Sequence, residues 1–153
     1  MLLNIGPRSD GTITQEDQDI LLSIGKWLQS NGEAIYNTTF WKAFGEGVTN
    51  VVEGSFKDVD RAAFTSQDIR FTYNAPYLYA HVLRWPHDNT VTIQSLKRDP
   101  DKYNGFFNGD IESVEILGYD TKIELQRSEQ GLIVKADGRI DTPYPVCLKI
   151  RIG

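Results

Sequence analysis

The hydrophobic and polar positions of this chain change their period partway along it. Ile20, Leu21, Ile24, Trp27 and Leu28 recur with the spacing of one helical face. Thr14 stands where an N-cap belongs, and Glu16 and Asp17 place acidic groups in the first turn, where the helix dipole favours them. Asn31-Gly32 supplies a left-handed exit. The pattern predicts an amphipathic helix over about 15–30, with Trp27 on its core face. Ahead of it, Met1-Leu2-Leu3-Asn4-Ile5 reads as a buried strand running into the turn Gly6-Pro7. One strand and one helix cannot bury their own apolar faces, so this opening is expected to be part of a larger α/β unit cut just upstream of Met1.

From about 68 the period becomes two. Ile69, Phe71 and Tyr73 alternate with Arg70 and Thr72; Val91 and Ile93 with Thr90 and Thr92; Ile123 and Leu125 with Lys122 and Glu124; Val146, Leu148, Ile150 and Ile152 with Cys147, Lys149 and Arg151. Such alternation marks antiparallel strands with one face buried and one wet. Strands are predicted over 68–74, 77–85, 90–96, 111–118, 121–127, 131–137 and 145–152, separated by turn residues such as Trp85-Pro86-His87-Asp88-Asn89 and Gly118-Tyr119-Asp120. The expected fold is mainly β: an antiparallel two-sheet sandwich with Greek-key connections, preceded by one amphipathic helix. Residues 33–67 show little periodicity around Gly45, Gly47 and Gly54 and read as a connector wrapping over the sandwich.

Composition narrows the functions. The 153 residues suit one domain, or one with an appendage; 40% are hydrophobic and 24% charged. A net charge of −5, with no basic run longer than Lys97-Arg98, argues against a nucleic-acid partner. No apolar run approaches the roughly 18 residues of a membrane span, so no membrane partner is expected. The single cysteine, Cys147, excludes an internal disulfide and, alternating with Lys149 and Arg151, should point outward. His81 and His87 lack companions at ligand spacing, so neither suggests a metal site. Trp41 and Trp85 read as packing residues. Gly45-x-Gly47 lacks the strand before it and helix after it that a phosphate loop requires.

Leu2-Leu3-Asn4-Ile5-Gly6-Pro7, Asp10-Gly11, Ile24-Gly25-Lys26-Trp27-Leu28 and above all Asn31-Gly32-Glu33-Ala34-Ile35-Tyr36 stand in an order and spacing that resembles the end of the catalytic barrel of α-L-fucosidases, the retaining exo-glycosidases of glycoside hydrolase family 29. Asp68-Ile69-Arg70-Phe71-Thr72, Leu78-Tyr79-Ala80, Trp85-Pro86 and Leu148-Lys149-Ile150 resemble the carboxy-terminal β-sandwich of the same family. The resemblance implies that residues 1–41 are the last strand, loop and helix of a (β/α)8 barrel, and that 42–153, including connector 42–67, are the sandwich. It implies a secreted or periplasmic parent that hydrolyses terminal α-L-fucosyl linkages of glycans with retention, without cofactor or metal. Retention needs two carboxyl groups about 5–5.5 Å apart; in the family both lie earlier in the barrel, and no segment here matches them. No catalytic residue is therefore expected, and the chain alone should be inactive.

Barrel enzymes act at the carboxyl ends of their strands, which places Asn4 and loop 6–11 nearest the parent's sugar pocket. Tyr103, Phe106 and Phe107 in loop 97–109 are the other candidates for sugar or barrel contact. With Trp85 they support the alternative of a carbohydrate-binding module for fucosylated glycans. The expected partner is the missing barrel. Without it, the chain should either self-associate through residues 1–30 or fold its helix onto the sandwich, with 1–12 disordered.

Overall fold

The computed structural model of the chain describes residues 4–49, 62–99 and 106–153. Of the predicted opening strand, Met1, Leu2 and Leu3 fall outside the described residues; Asn4 and Ile5 are exposed and in no regular structure. Helix α1 spans Gln15–Asn31, with the Thr14 hydroxyl accepting from the amide of Asp17. Its exit differs from the predicted one. Gly32 stays right-handed (φ −61°) and the chain tightens into a 3-10 turn, Gly32–Ala34. Glycine serves close approach there: an added Cβ would come within 2.9 Å of the Tyr36 ring.

Among the described residues eight strands follow: β1 (Gly45–Glu46), β2 (Ile69–Asn74), β3 (Tyr77–Val82), β4 (Thr90–Ile93), β5 (Ile111–Ile116), β6 (Ile123–Arg127), β7 (Leu132–Ala136) and β8 (Val146–Ile152). The larger sheet has the order β1-β2-β3-β8-β5 and the smaller β4-β7-β6; every pairing is antiparallel. The chain passes from one sheet to the other after β3, β4, β5 and β7. The inner faces meet in one core that includes Ile69, Leu78, Val82, Ile93, Val134, Leu148 and Ile150, all fully buried. Each such side chain contributes about 1.5–3 kcal/mol on leaving water.

Two departures from the sequence reading matter for function. The connector is partly sheet. Thr39 and Tyr73 exchange backbone hydrogen bonds of 2.8 and 2.9 Å, Glu46 pairs with Ile69, and Trp41 enters the core edge-on to Phe71. A two-residue strand has too few positions to show a period. The second departure concerns the larger sheet's outer face, expected to be wet. Cys147, Tyr79 and His81 point there and are buried, because the end of α1 and the following turn cover them. Trp27 is only half-buried and, rather than filling a core, sends its indole N–H to the carbonyl of Pro145 at 2.8 Å.

Candidate functional site

The joint between helix and sandwich is the most elaborated place in the molecule. Ala34 is fully buried against Tyr79, Leu117 and Cys147. Its carbonyl accepts the Thr72 hydroxyl at 2.6 Å, and Nε2 of His81 lies 3.0 Å from the same hydroxyl. Thr72 has one proton to give and gives it to Ala34, so His81 must donate from Nε2. The Trp27 ring lies 6.3 Å from that of His81. Beside Ala34, the Glu33 carboxylate accepts the Tyr79 hydroxyl at 3.2 Å and the Lys149 ammonium at 2.8 Å.

These contacts set the electrostatics. Burial, aided by the Glu33 charge, pushes the Tyr79 phenol up to about 12 and raises the Cys147 thiol further still, leaving no thiolate for nucleophilic work. Burial holds His81 below its ordinary 6.5. The Glu33 hydrogen bond raises Lys149. Each group is thereby kept uncharged or paired, which suits a fixed joint rather than a proton-transfer site.

Two charged side chains close the loops at the sandwich's rim. Asp68, fully buried at the foot of β2, accepts from the amide and hydroxyl of Thr49 (2.9 and 2.8 Å) and of Thr65 (2.7 and 2.9 Å). Burial works to raise its carboxyl, but the four hydrogen bonds outweigh that and hold it well below the usual carboxylate range. A general acid needs the opposite shift. Gly47, at φ +143°, is obligatory beside it, since a Cβ would collide with the Asp68 side chain. Arg127 is the counterpart at loop 97–109. It donates to the carbonyls of Leu96 (2.9 Å), Gly109 (2.7 Å) and Phe107 (3.0 Å), and its guanidinium lies 5.3 Å from the Phe107 ring centre.

The sequence candidates divide among these places. Phe107 is buried under Arg127, while Phe106 stays 42% exposed with its ring edge-on to Trp41 at 5.3 Å. Tyr103 lies outside the described residues. Asn4 is exposed ahead of a tight turn at 8–12, where Asp10 accepts from the amide and hydroxyl of Thr12. Trp41 and Trp85 are packing residues as expected. Among the described residues no group of three or more His, Cys, Asp or Glu could hold a metal ion. The sequence reading did not single out Arg127, and it met Asp68, Thr72 and Lys149 only as members of the stretches that resemble the sandwich. Glu33 and Ala34 carried a signal only as part of the 31–36 motif.

Comparison with known proteins supplies the family. Residues 62–151, more than half of the chain, match the model of the α-L-fucosidase C-terminal domain. The chain belongs to that family. Residues 1–33, ahead of that domain, match a second model, that of α-L-fucosidase itself. Rat tissue α-L-fucosidase is 41% identical over 96 residues, covering 63% of this chain and 17% of the rat enzyme; human tissue α-L-fucosidase is 34% identical over 94 residues, or 61% and 16%. The chain thus spans about a sixth of the length of these curated relatives. Solved structures agree in fold: the Thermotoga maritima α-fucosidase bound to a mechanism-based inhibitor (TM-score 0.65, 22% identity, 98% of this chain and 30% of that one) and α-L-fucosidase isoenzyme 1 of Paenibacillus thiaminolyticus (0.67, 20%, 100% and 30%).

Proposed function

We propose that this chain is the non-catalytic brace of an α-L-fucosidase. In this reading residues 1–41 close a catalytic barrel, 42–153 form the sandwich that stiffens it, and the whole enzyme hydrolyses terminal α-L-fucosyl linkages with retention. Asn4 would then face the sugar pocket from the end of the last barrel strand. One observation carries the reading. The segment matching the α-L-fucosidase model ends at residue 33, and there Glu33 and Ala34 are locked to the sandwich through Tyr79, Lys149 and Thr72. A joint held by three hydrogen bonds and a buried contact transmits position between the two modules; a free linker would not.

The chemistry of the described residues fits a brace. Retaining hydrolysis requires a nucleophilic carboxylate and a second carboxyl able to give up a proton. The buried carboxylate of the sandwich, Asp68, is held ionised by its threonines. The alternative of a module recognising fucosylated glycans drew on free aromatic rings in loop 97–109, but Phe106 and Phe107 are engaged by Trp41 and Arg127, and Trp85 is buried. The purified chain should give no turnover of p-nitrophenyl α-L-fucoside above a buffer blank. Turnover that survives repurification and tracks the protein peak would overturn the reading.

A further inference from the structure

We propose that the ribbon over residues 39–48 is a second docking strip for the catalytic portion of an α-L-fucosidase, anchored by Phe40 and Phe44. The inference rests on the brace reading above and names the surface beyond α1 through which the brace grips. Among the described residues, uncovered apolar surface is concentrated. Ile20 (50% exposed), Leu22 (70%), Tyr36 (58%), Phe40 (84%), Phe44 (75%) and Val48 (64%) all precede the sandwich match, within which the most exposed large hydrophobic residue described is Tyr144 at 46%.

The ribbon shows why the exposure is organised. Trp41 and Ala43 pack against the core, whereas Phe40, Lys42 and Phe44 between and beside them are exposed. Phe44 lies on the side that α1 occupies. Arg70, whose guanidinium lies 5.4 Å from the Phe44 ring centre, is paired across the sheet with His81, and His81 lies beneath Trp27. The outer side of the larger sheet therefore carries α1 and, at the sheet's β1–β2 edge, Phe44, which belongs to the same short segment as the nearly bare Phe40. Apolar surface gathered in this way marks a partner. The neighbouring sequence identifies it: residues 1–33, which lead into the ribbon, match the α-L-fucosidase model, and all but 17% of the rat enzyme lies outside the region aligned with this chain.

The test is co-expression of the chain with the catalytic portion of rat tissue α-L-fucosidase, ending where its similarity to this chain begins. The proposal expects the wild-type chain to copurify with that portion and the double variant Phe40→Asp/Phe44→Asp to lose at least tenfold of the complex. Thr92→Asp, on the far sheet, should retain it. Both phenylalanines are exposed, so the double variant should melt within a few degrees of wild type; a larger fall is handled by the milder Phe40→Ser/Phe44→Ser pair, which should lose the complex too. Copurification undiminished by either pair overturns the ribbon and leaves the brace reading standing. No copurification with any chain overturns the brace reading itself. A wild-type dimer in sedimentation equilibrium that the double variant abolishes would assign the strip to a second copy and overturn the proposal.

Discussion

The two outer faces of the sandwich are made from strands of the same alternating kind, yet they meet different surroundings. On the smaller sheet Thr92, Glu124, Gln126 and Lys135 point outward and are exposed, with Lys135 and Glu124 paired loosely at 3.6 Å. On the larger sheet Tyr79, His81 and Cys147 also point outward and are buried beneath residues 27–34. Alternation says which side chains share a face. Whether that face is wet depends on what lies over it, and here the cover comes from a segment more than a hundred positions away from Cys147 in the chain.

The same substitution on each face should therefore give very different losses. Cys147→Lys would bury an unpaired ammonium under Ala34 and Tyr79 and should cost about 3–5 kcal/mol. Thr92→Lys on the smaller sheet should stay within about 0.5 kcal/mol. Urea unfolding of the two variants measures the difference. Losses of similar size would mean that the helix end does not seal the larger sheet.

That contrast also marks how much the sequence could show. The seven strands predicted from alternation all exist, with ends trimmed by a few residues, because a two-sheet core imposes its period on every strand that lines it. Strand 90–96 is shortened to Thr90–Ile93 for a physical reason. The Glu46 carboxylate accepts the amides of Gln94 and Ser95 at 2.8 and 2.7 Å and turns the chain into a 3-10 helix. The outward reading of Cys147 was correct in direction and wrong in burial: Lys149 and Arg151 beside it gave a polar signal, but Lys149 is polar because it pairs with Glu33. The joint left its traces only in the 31–36 motif and in the stretches that resemble the sandwich, with nothing to say that they meet. Its partners, Thr72, Tyr79 and Lys149, are ordinary strand residues until the fold brings Ala34 over them.

The covered face also holds a titratable group that can report on its seal. His81 has Arg70 and Cys147 as cross-strand neighbours, the Thr72 hydroxyl at its Nε2 and the Trp27 ring above it. Its folded pKa lies below the ordinary 6.5, so as the pH drops through that range the unfolded chain binds the proton more readily than the folded one. The stability that neutral His81 contributes is fully present above about 6.5 and is lost as pH falls towards the lower folded value. Melting temperatures between pH 7.5 and 5 should decline in the wild-type chain and decline less in His81→Gln. Parallel curves for the two would show that His81 is open to solvent and that the cover is loose.

The smallest contrast lies in the ion pairs. Glu33 and Lys149 meet at 2.8 Å with the Lys149 side chain only 18% exposed, and the same carboxylate holds the Tyr79 hydroxyl. Glu124 and Lys135 meet at 3.6 Å with side chains 80% and 56% exposed. An exposed pair gains little Coulomb energy in water and is screened by salt, so Glu124→Gln should change stability by no more than about 0.5 kcal/mol. Glu33→Gln keeps the shape but weakens two hydrogen bonds to a partly dehydrated carboxylate, and should cost about 0.5–1.5 kcal/mol. Raising the salt concentration should narrow the gap only slightly, because Lys149 is shielded from counterions by the turn above it. If the two variants lose the same amount, Glu33 does not fasten the helix to the sheet, and the fixity of the joint must come from Ala34 and Thr72 alone.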